Sequence, residues 1–259
     1  MEFLIQLYVF IVGIIFGSFF NVCIYRIPEN KSISNPPSTC PTCNTRLKPI
    51  DLIPILSYLM SGRKCRYCKK EISPRYATVE FLTGILFLLV YNVHSISLET
   101  VYYLILVSLL VIITFIDIDH YIIPDGIIVF GLLVALIFNI LQIGIPIKDS
   151  IIGAVVCGGG MLLLIYLIEL IVKKEVMGGG DIKLFAMTGL FLGIKGGLLT
   201  IILSVYVGAI YGVGTILYSK IKNKEYNSMI PYGPFISIGA LITLLYGNDI
   251  LTWYYNLFI

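Results

Sequence analysis

Residues 151–194 read IIGAVVCGGGMLLLIYLIELIVKKEVMGGGDIKLFAMTGLFLGI. An apolar run of about the 20 residues that a helix needs to cross a bilayer gives way to Lys173 and Lys174. Three glycines and Asp181 follow, and apolar sequence resumes directly afterwards. A carboxylate set straight after the most permissive backbone in the chain has two readings. One is a wet turn with a surface acid. The other is a reaction site at the edge of a membrane.

The rest of the chain settles the setting. Of 259 residues, 58% are hydrophobic and 13% charged, with mean hydropathy +0.95, whereas a soluble domain carries about a quarter charged residues. Apolar runs approach or reach crossing length at 3–25, 76–93, 100–117, 126–143, 150–171, 183–194, 197–218 and 232–247. The chain is therefore expected to be an all-α polytopic membrane protein with about eight transmembrane helices. The sixth is short, and the Gly196–Gly197 pair after Lys195 is read as the turn into the seventh. A single long re-entrant segment is the alternative. The first run, Phe3–Ile24, lacks an early positive cluster and a small-residue cleavage site. It also exceeds the usual apolar length of a removable signal peptide, so it reads as a retained span.

Charge placement orients these helices. Segment 26–75 holds ten Lys or Arg, Lys173 and Lys174 flank the glycine loop, and Lys220, Lys222 and Lys224 lie between the last two spans. Eight crossings put all three segments on one side and leave Lys148 and Lys195 on the other. By the positive-inside rule the basic side is expected to be cytoplasmic and both termini external. The net charge of +3 then reports topology and not a nucleic-acid surface, although basic loops also attract anionic lipid headgroups.

The segment 26–75 is the one sizeable insert outside the membrane. It carries CPTC at 40–43 and CRYC at 65–68, two Cys-x-x-Cys knuckles 21 residues apart. Four thiolates from Cys40, Cys43, Cys65 and Cys68 can close a tetrahedral cage around a structural zinc, which helps a segment too small to fold on its own apolar core. Two disulfides are the other reading, and they suit a reducing cytoplasm poorly. Four cysteines leave no open position for catalysis. Cys23 and Cys157 fall in spans and read as small buried apolar residues.

A second acidic cluster, TFIDIDHYIIPDG, occupies residues 114–126. The third span ends as Asp117 and Asp119 appear, and Pro124 restarts the chain with Asp125 immediately after it. On the topology above this stretch and Asp181 share the cytoplasmic face. Ionisable groups at the hydrocarbon boundary are costly unless paired or used. Two adjacent carboxylates share one proton, which is the state of an aspartic protease: one group activates water while the other polarises the scissile carbonyl. Asp117 and Asp119 are two positions apart, so at most one of them faces Asp181. The bland reading of both stretches is an ordinary loop, with Asp119 or Asp125 capping a helix. Two histidines leave little for a His-based triad, and GGGD lacks the Lys-Ser/Thr pair and preceding strand of a phosphate loop.

Together these motifs resemble those of bacterial prepilin peptidases, the membrane-embedded type IV leader peptidases of the GxGD aspartic protease group. Gly178, Gly180 and Asp181 supply the GxGD element, and Asp117 to Asp125 supplies a D-x-D-x-x-x-x-P-D element. GSFFNVCIYRIP at 17–28, the two knuckles, LIPILSYL at 52–59, GRKC at 62–65 and ISPRYATVE at 72–80 are similar to the family's opening part. The resemblance implies that Asp117 and Asp181 form the dyad, supported by Asp119, Asp125, Gly178 and Gly180. Lys183 either biases the charge of that pair or binds headgroups.

It also implies a substrate: the basic leader of type IV prepilins and pilin-like proteins, removed after a glycine at the cytoplasmic face of a bacterial inner membrane. Many relatives methylate the new amino terminus with S-adenosylmethionine, and that activity is expected here. No Rossmann-like glycine fingerprint marks a site for the donor, and Asn21, Arg26 and Glu80 are the candidates near it. The expected organisation is a first transmembrane helix (1–25), a four-cysteine zinc-binding insert (26–75) and a transmembrane aspartic peptidase domain (76–259). An ion-coupled carrier and a pilin-binding assembly factor that does not cut are the rival readings.

Overall fold

The computed structural model describes residues 2–174, 176–222 and 230–258, so Lys224 lies outside the described residues. Among these the regular structure is helical: α1 (Glu2–Arg26), α2 (Leu56–Met60), α3 (Arg75–His94), α4 (Leu98–His120), α5 (Asp125–Ile140), α6 (Ile147–Ala154), α7 (Gly160–Val172), α8 (Gly179–Lys222) and α9 (Gly233–Phe258). A π-helical turn, Val155–Gly159, joins α6 to α7 in one rod. Six of the described helices are long and apolar enough to cross a membrane: α1, α3, α4, the α6–α7 rod, α8 and α9. The apolar α5 is shorter. The protein is thus an all-α polytopic membrane protein. The last apolar run, expected to end at 247, continues as helix to Phe258, because Gly247, Asn248 and Asp249 are tolerated inside it.

Contacts divide the chain into two units, Met1–Thr100 and Val101–Ile259. In the first, α1 and α3 run antiparallel: Gln6 Nε2 donates to Asn92 Oδ1 at 3.2 Å near one end, and Asn21 Nδ2 donates to the Tyr76 carbonyl at 3.1 Å near the other. Between these ties a Cβ on Gly13 would lie 2.8 Å from Gly84 Cα, and one on Gly17 would lie 2.7 Å from Glu80 Cα. Backbones this close gain dispersion contacts, which drive association where lipid offers no hydrophobic force.

In the second unit α8 contains the decisive break. Gly193 has φ 72° and ψ −176°, a region that only glycine enters freely. A Cβ on Gly197 would lie 3.1 Å from Gly189 Cα, whereas residues eight apart in a straight helix are about 12 Å apart. The chain therefore folds back at Gly193, and α8 is a hairpin of two arms. The expected turn at Gly196–Gly197 lies three residues too late. Those glycines are helical, and Gly197 instead makes room for Cys157 and Gly189.

A broken helix leaves carbonyls and N–H groups without intrahelical partners, and buried side chains supply them. The Leu190 carbonyl accepts from Ser150 Oγ at 2.7 Å and Asn139 Nδ2 at 3.2 Å, and the Phe191 carbonyl accepts from the Tyr102 hydroxyl at 3.1 Å. Asp149 Oδ1 accepts the Ile194 N–H across the break. Asn139, Ser150 and Tyr102 are all buried, so the bonds they make lie away from water, where an unmade one is costly.

Candidate active site

Asp117 sits in the last turn of α4. That helix stops because Tyr121 adopts φ 56° while its N–H bonds the Asp117 carbonyl at 2.9 Å, a left-handed helix end. The Asp117 side chain is 5% exposed. Its Oδ2 accepts the N–H of Gly233, the first residue of α9, at 2.8 Å. Asp181 is the third residue of α8 and is half-buried, and Phe185, one turn further along α8, packs on the ring of Tyr232, the residue before Gly233. Two carboxylates far apart in sequence are thereby both tied to the start of α9.

The neighbouring loops hold this arrangement. A Cβ on Gly180 would lie 3.0 Å from Ile123 Cβ, so the GGGD turn packs on the stretch between Asp119 and Pro124. A Cβ on Gly178 would lie 3.3 Å from Asp181 Oδ2. Neither glycine has a positive φ; their smallness matters here, and their left-handed freedom does not. Lys183 Nζ lies 2.7 Å from Asp125 Oδ1, so Lys183 has a protein partner. Asn139 bonds Leu190 further on, and α5 and the first arm of α8 run side by side in one direction. Asp119 and His120 are exposed at the end of α4.

Sequence reasoning passed over IPYGPF at 230–235. Tyr232 accepts the Phe235 and Ile236 N–H groups through its carbonyl, which makes it the entry residue of α9. Its ring packs on Phe185, 6.4 Å between centroids, and on Phe235 at 5.8 Å. A Pro-Tyr-Gly-Pro stretch before an apolar run signals only a helix start, so nothing in the sequence ties it to Asp117.

The first unit holds the four cysteines. Each knuckle repeats the same geometry. Cys40 N–H bonds the Thr45 carbonyl and Cys65 N–H the Lys70 carbonyl, while Asn44 and Lys69 return N–H bonds to the two cysteine carbonyls. Asn44 and Lys69 both have positive φ. The sulfurs of Cys40, Cys43, Cys65 and Cys68 all lie within 4.8 Å of one another, and Cys40 and Cys68 are 4.0 Å apart. Four sulfurs about 2.3 Å from a tetrahedral zinc would be about 3.8 Å apart, so the set fits such an ion. All six cysteines are free thiols, so the disulfide alternative is not the arrangement adopted. A hydrogen bond to Thr45 brings the Cys43 thiol down to about 6, within reach of a thiolate at neutral pH.

Asn21, Arg26 and Glu80 belong to this unit. Asn21 ties α1 to α3 as above. Arg26 donates to the Ser32 carbonyl at 2.9 Å and the Pro36 carbonyl at 2.7 Å. Glu80, buried, accepts the Ile55 N–H at 2.7 Å and holds that residue at φ 59°. Arg26 and Glu80 thus make internal bonds to the insert, and Asn21 joins the two helices that flank it.

Comparison with known proteins gives two family matches: the bacterial peptidase A24 N-terminal domain over residues 11–94 and the type IV leader peptidase family over residues 104–213. A prepilin leader peptidase/N-methyltransferase of Aeromonas salmonicida is 35% identical over 95% of this chain and 92% of its own length. One of Bacillus subtilis is 35% identical over 95% of this chain and 96% of its own. One of Pseudomonas aeruginosa is 33% identical over 94% and 91%. No solved structure matches.

Proposed function

The chain belongs to the type IV leader peptidase family, and from that premise we propose that Asp117 and Asp181 are the catalytic pair of an aspartic endopeptidase. Its substrates are type IV prepilins and pilin-like precursors, cut after the glycine that ends their basic leader. The observation that carries this reading is the buried Asp117 carboxylate held by Gly233, whose neighbour Tyr232 packs on Phe185, one turn beyond Asp181. One proton shared by the pair lets one aspartate take a proton from water as the oxygen attacks the scissile carbonyl. The other donates to the carbonyl oxygen, and the tetrahedral adduct collapses to a leader carboxylate and a free pilin amine.

The membrane arrangement supports the same reading. Counting α5 and both arms of α8, the helices make eight crossings, with the basic segments and the site on the cytoplasmic side of a bacterial inner membrane and both termini external. The first arm, about 14 residues long, spans about 21 Å, less than the hydrocarbon core of about 30 Å. That short reach suits a site at the membrane edge, where a pilin helix stays in lipid while its leader meets water. The organisation is a first span, a zinc-binding insert over 26–75 and a peptidase domain over 76–259. Zinc bound by the four cysteines is structural, holding the two knuckles together.

The new amino terminus is also methylated, with S-adenosylmethionine as the methyl donor, as the names of the relatives support. Asn21, Arg26 and Glu80, each oriented by an internal bond, are the candidates to lie near the donor. Mass spectrometry on purified protein in lipid, with a prepilin carrying its leader and the methyl donor present, tests both activities. Wild type is expected to shed the leader and add one methyl mass, while Asp117→Asn and Asp181→Asn leave the precursor whole. Cleavage that survives either substitution removes the pair from the mechanism.

A further inference from the structure

Resting on that assignment of the pair, we propose that the Tyr232–Gly233 turn at the start of α9 is a positioning element of the catalytic centre. It lies beyond the family match at residues 104–213. Gly233 holds Asp117 through a main-chain N–H at 2.8 Å, a donor that no side-chain rotation can withdraw. The bond engages Oδ2 and leaves Oδ1 for the shared proton or the attacking water. It also sets the positive end of a 26-residue helix against the carboxylate, which offsets its charge where water is scarce.

The turn is itself aimed by three ties. Tyr232 packs its ring on Phe185, one turn beyond Asp181 on the first arm of α8. Its hydroxyl lies 3.4 Å from Ser204 Oγ on the second arm. Ser237 Oγ, one turn along α9 from Gly233, donates to the Leu110 carbonyl of α4 at 3.4 Å. The α9 start is therefore braced against both elements that carry the aspartates. A Cβ at 233 would lie 2.8 Å from Asp117 Oδ2 and 3.2 Å from Asp117 Cγ, so a larger residue there displaces that carboxylate.

The experiment is steady-state cleavage of a prepilin by the full chain in lipid, resolved into kcat and KM. Gly233→Pro deletes the donor at a position where proline suits the first turn of a helix. Gly233→Ala keeps the donor but drives a methyl into the carboxylate. Each is expected to lower kcat about 100-fold, the proline through loss of a preorganised donor and the alanine through displacement of the carboxylate, with KM within about twofold. Tyr232→Phe, which loses only the tie to Ser204, is expected to lower kcat about threefold. Ser237→Ala, which loses only the tie to Leu110, is likewise expected to lower kcat about threefold with KM unchanged. Should one glycine variant fail to fold, the other decides.

A wild-type kcat in Gly233→Pro or Gly233→Ala overturns the proposal. So does a parallel fall in kcat and rise in KM across all four variants, the mark of general scaffolding. Asp117→Asn and Asp181→Asn are run alongside. If they still cut, it is the paired-aspartate reading that fails, whatever the glycine variants do.

Discussion

At the scale of single residues, burial separates the acids that the sequence presents together. Asp117 and Asp119 are two positions apart on α4, yet the first is 5% exposed and the second lies on the open face. A helix turns about 200° over two residues, so one carboxylate is carried inward and the other outward. The Lys183–Asp125 pair is well formed at 2.7 Å, but its side chains are 52% and 68% exposed. Pairs this wet contribute about 0–1 kcal/mol. Lys183→Ala is therefore expected to cost under about 1 kcal/mol in unfolding and about threefold in leader cleavage. The cleavage assay above checks the second figure, and a loss of about 100-fold would give Lys183 a place in the chemistry itself.

At the scale of elements, the hairpin of α8 carries the greatest local demand. Its reversal combines a backbone conformation open to glycine with a polar network that takes up the freed carbonyls. Gly193→Ala meets both obstacles, since the conformation is strained for alanine and its Cβ would collide with Asp149. A loss of about 1–3 kcal/mol is expected, read from denaturant unfolding in mixed micelles. Asn139→Ala removes the donor to Leu190 and the acceptor of the Ile145 N–H. The buried groups left behind are expected to cost a further about 1–3 kcal/mol. A neutral Gly193→Ala would mean that the reversal is relaxed in the membrane.

At the scale of the whole molecule, the two units rest on different physics. The second is a helical bundle whose buried residues are mostly apolar, from Tyr102, Leu106 and Leu110 on α4 to Phe185 and Phe191 on α8, with polar ones such as Asn139 and Ser150 among them. The insert of the first has few buried apolar residues, and Cys40 and Cys65 are the only ones between 27 and 74 among the described residues. Asp51 adds polar ties to Tyr67 at 2.9 Å and Arg66 at 3.3 Å. Purified protein is therefore expected to hold about one zinc per chain, measured by elemental analysis, with Cys40→Ser and Cys65→Ser losing it. Chelation is expected to open residues 27–74 to protease. An insert that stays resistant after complete metal removal would show that the polar ties suffice.

Residue order alone decides the solvent and the class of structure. Runs such as 3–25 and 150–171 are too apolar for water, and lipid leaves the backbone of such runs helical order. It also makes Asp117, Asp181 and the four cysteines stand out as candidates, because charged groups in apolar surroundings and Cys-x-x-Cys spacings are conspicuous in a chain with 13% charged residues. The place of the α8 reversal was not legible. Gly189, Gly193, Gly196 and Gly197 are equally permissive in one dimension, and only the packing of Asp149, Ser150 and Asn139 selects Gly193. Nor was Gly233 legible, 116 residues from Asp117. A main-chain donor carries no side-chain signature, and its partner is decided only when α9 docks on α4.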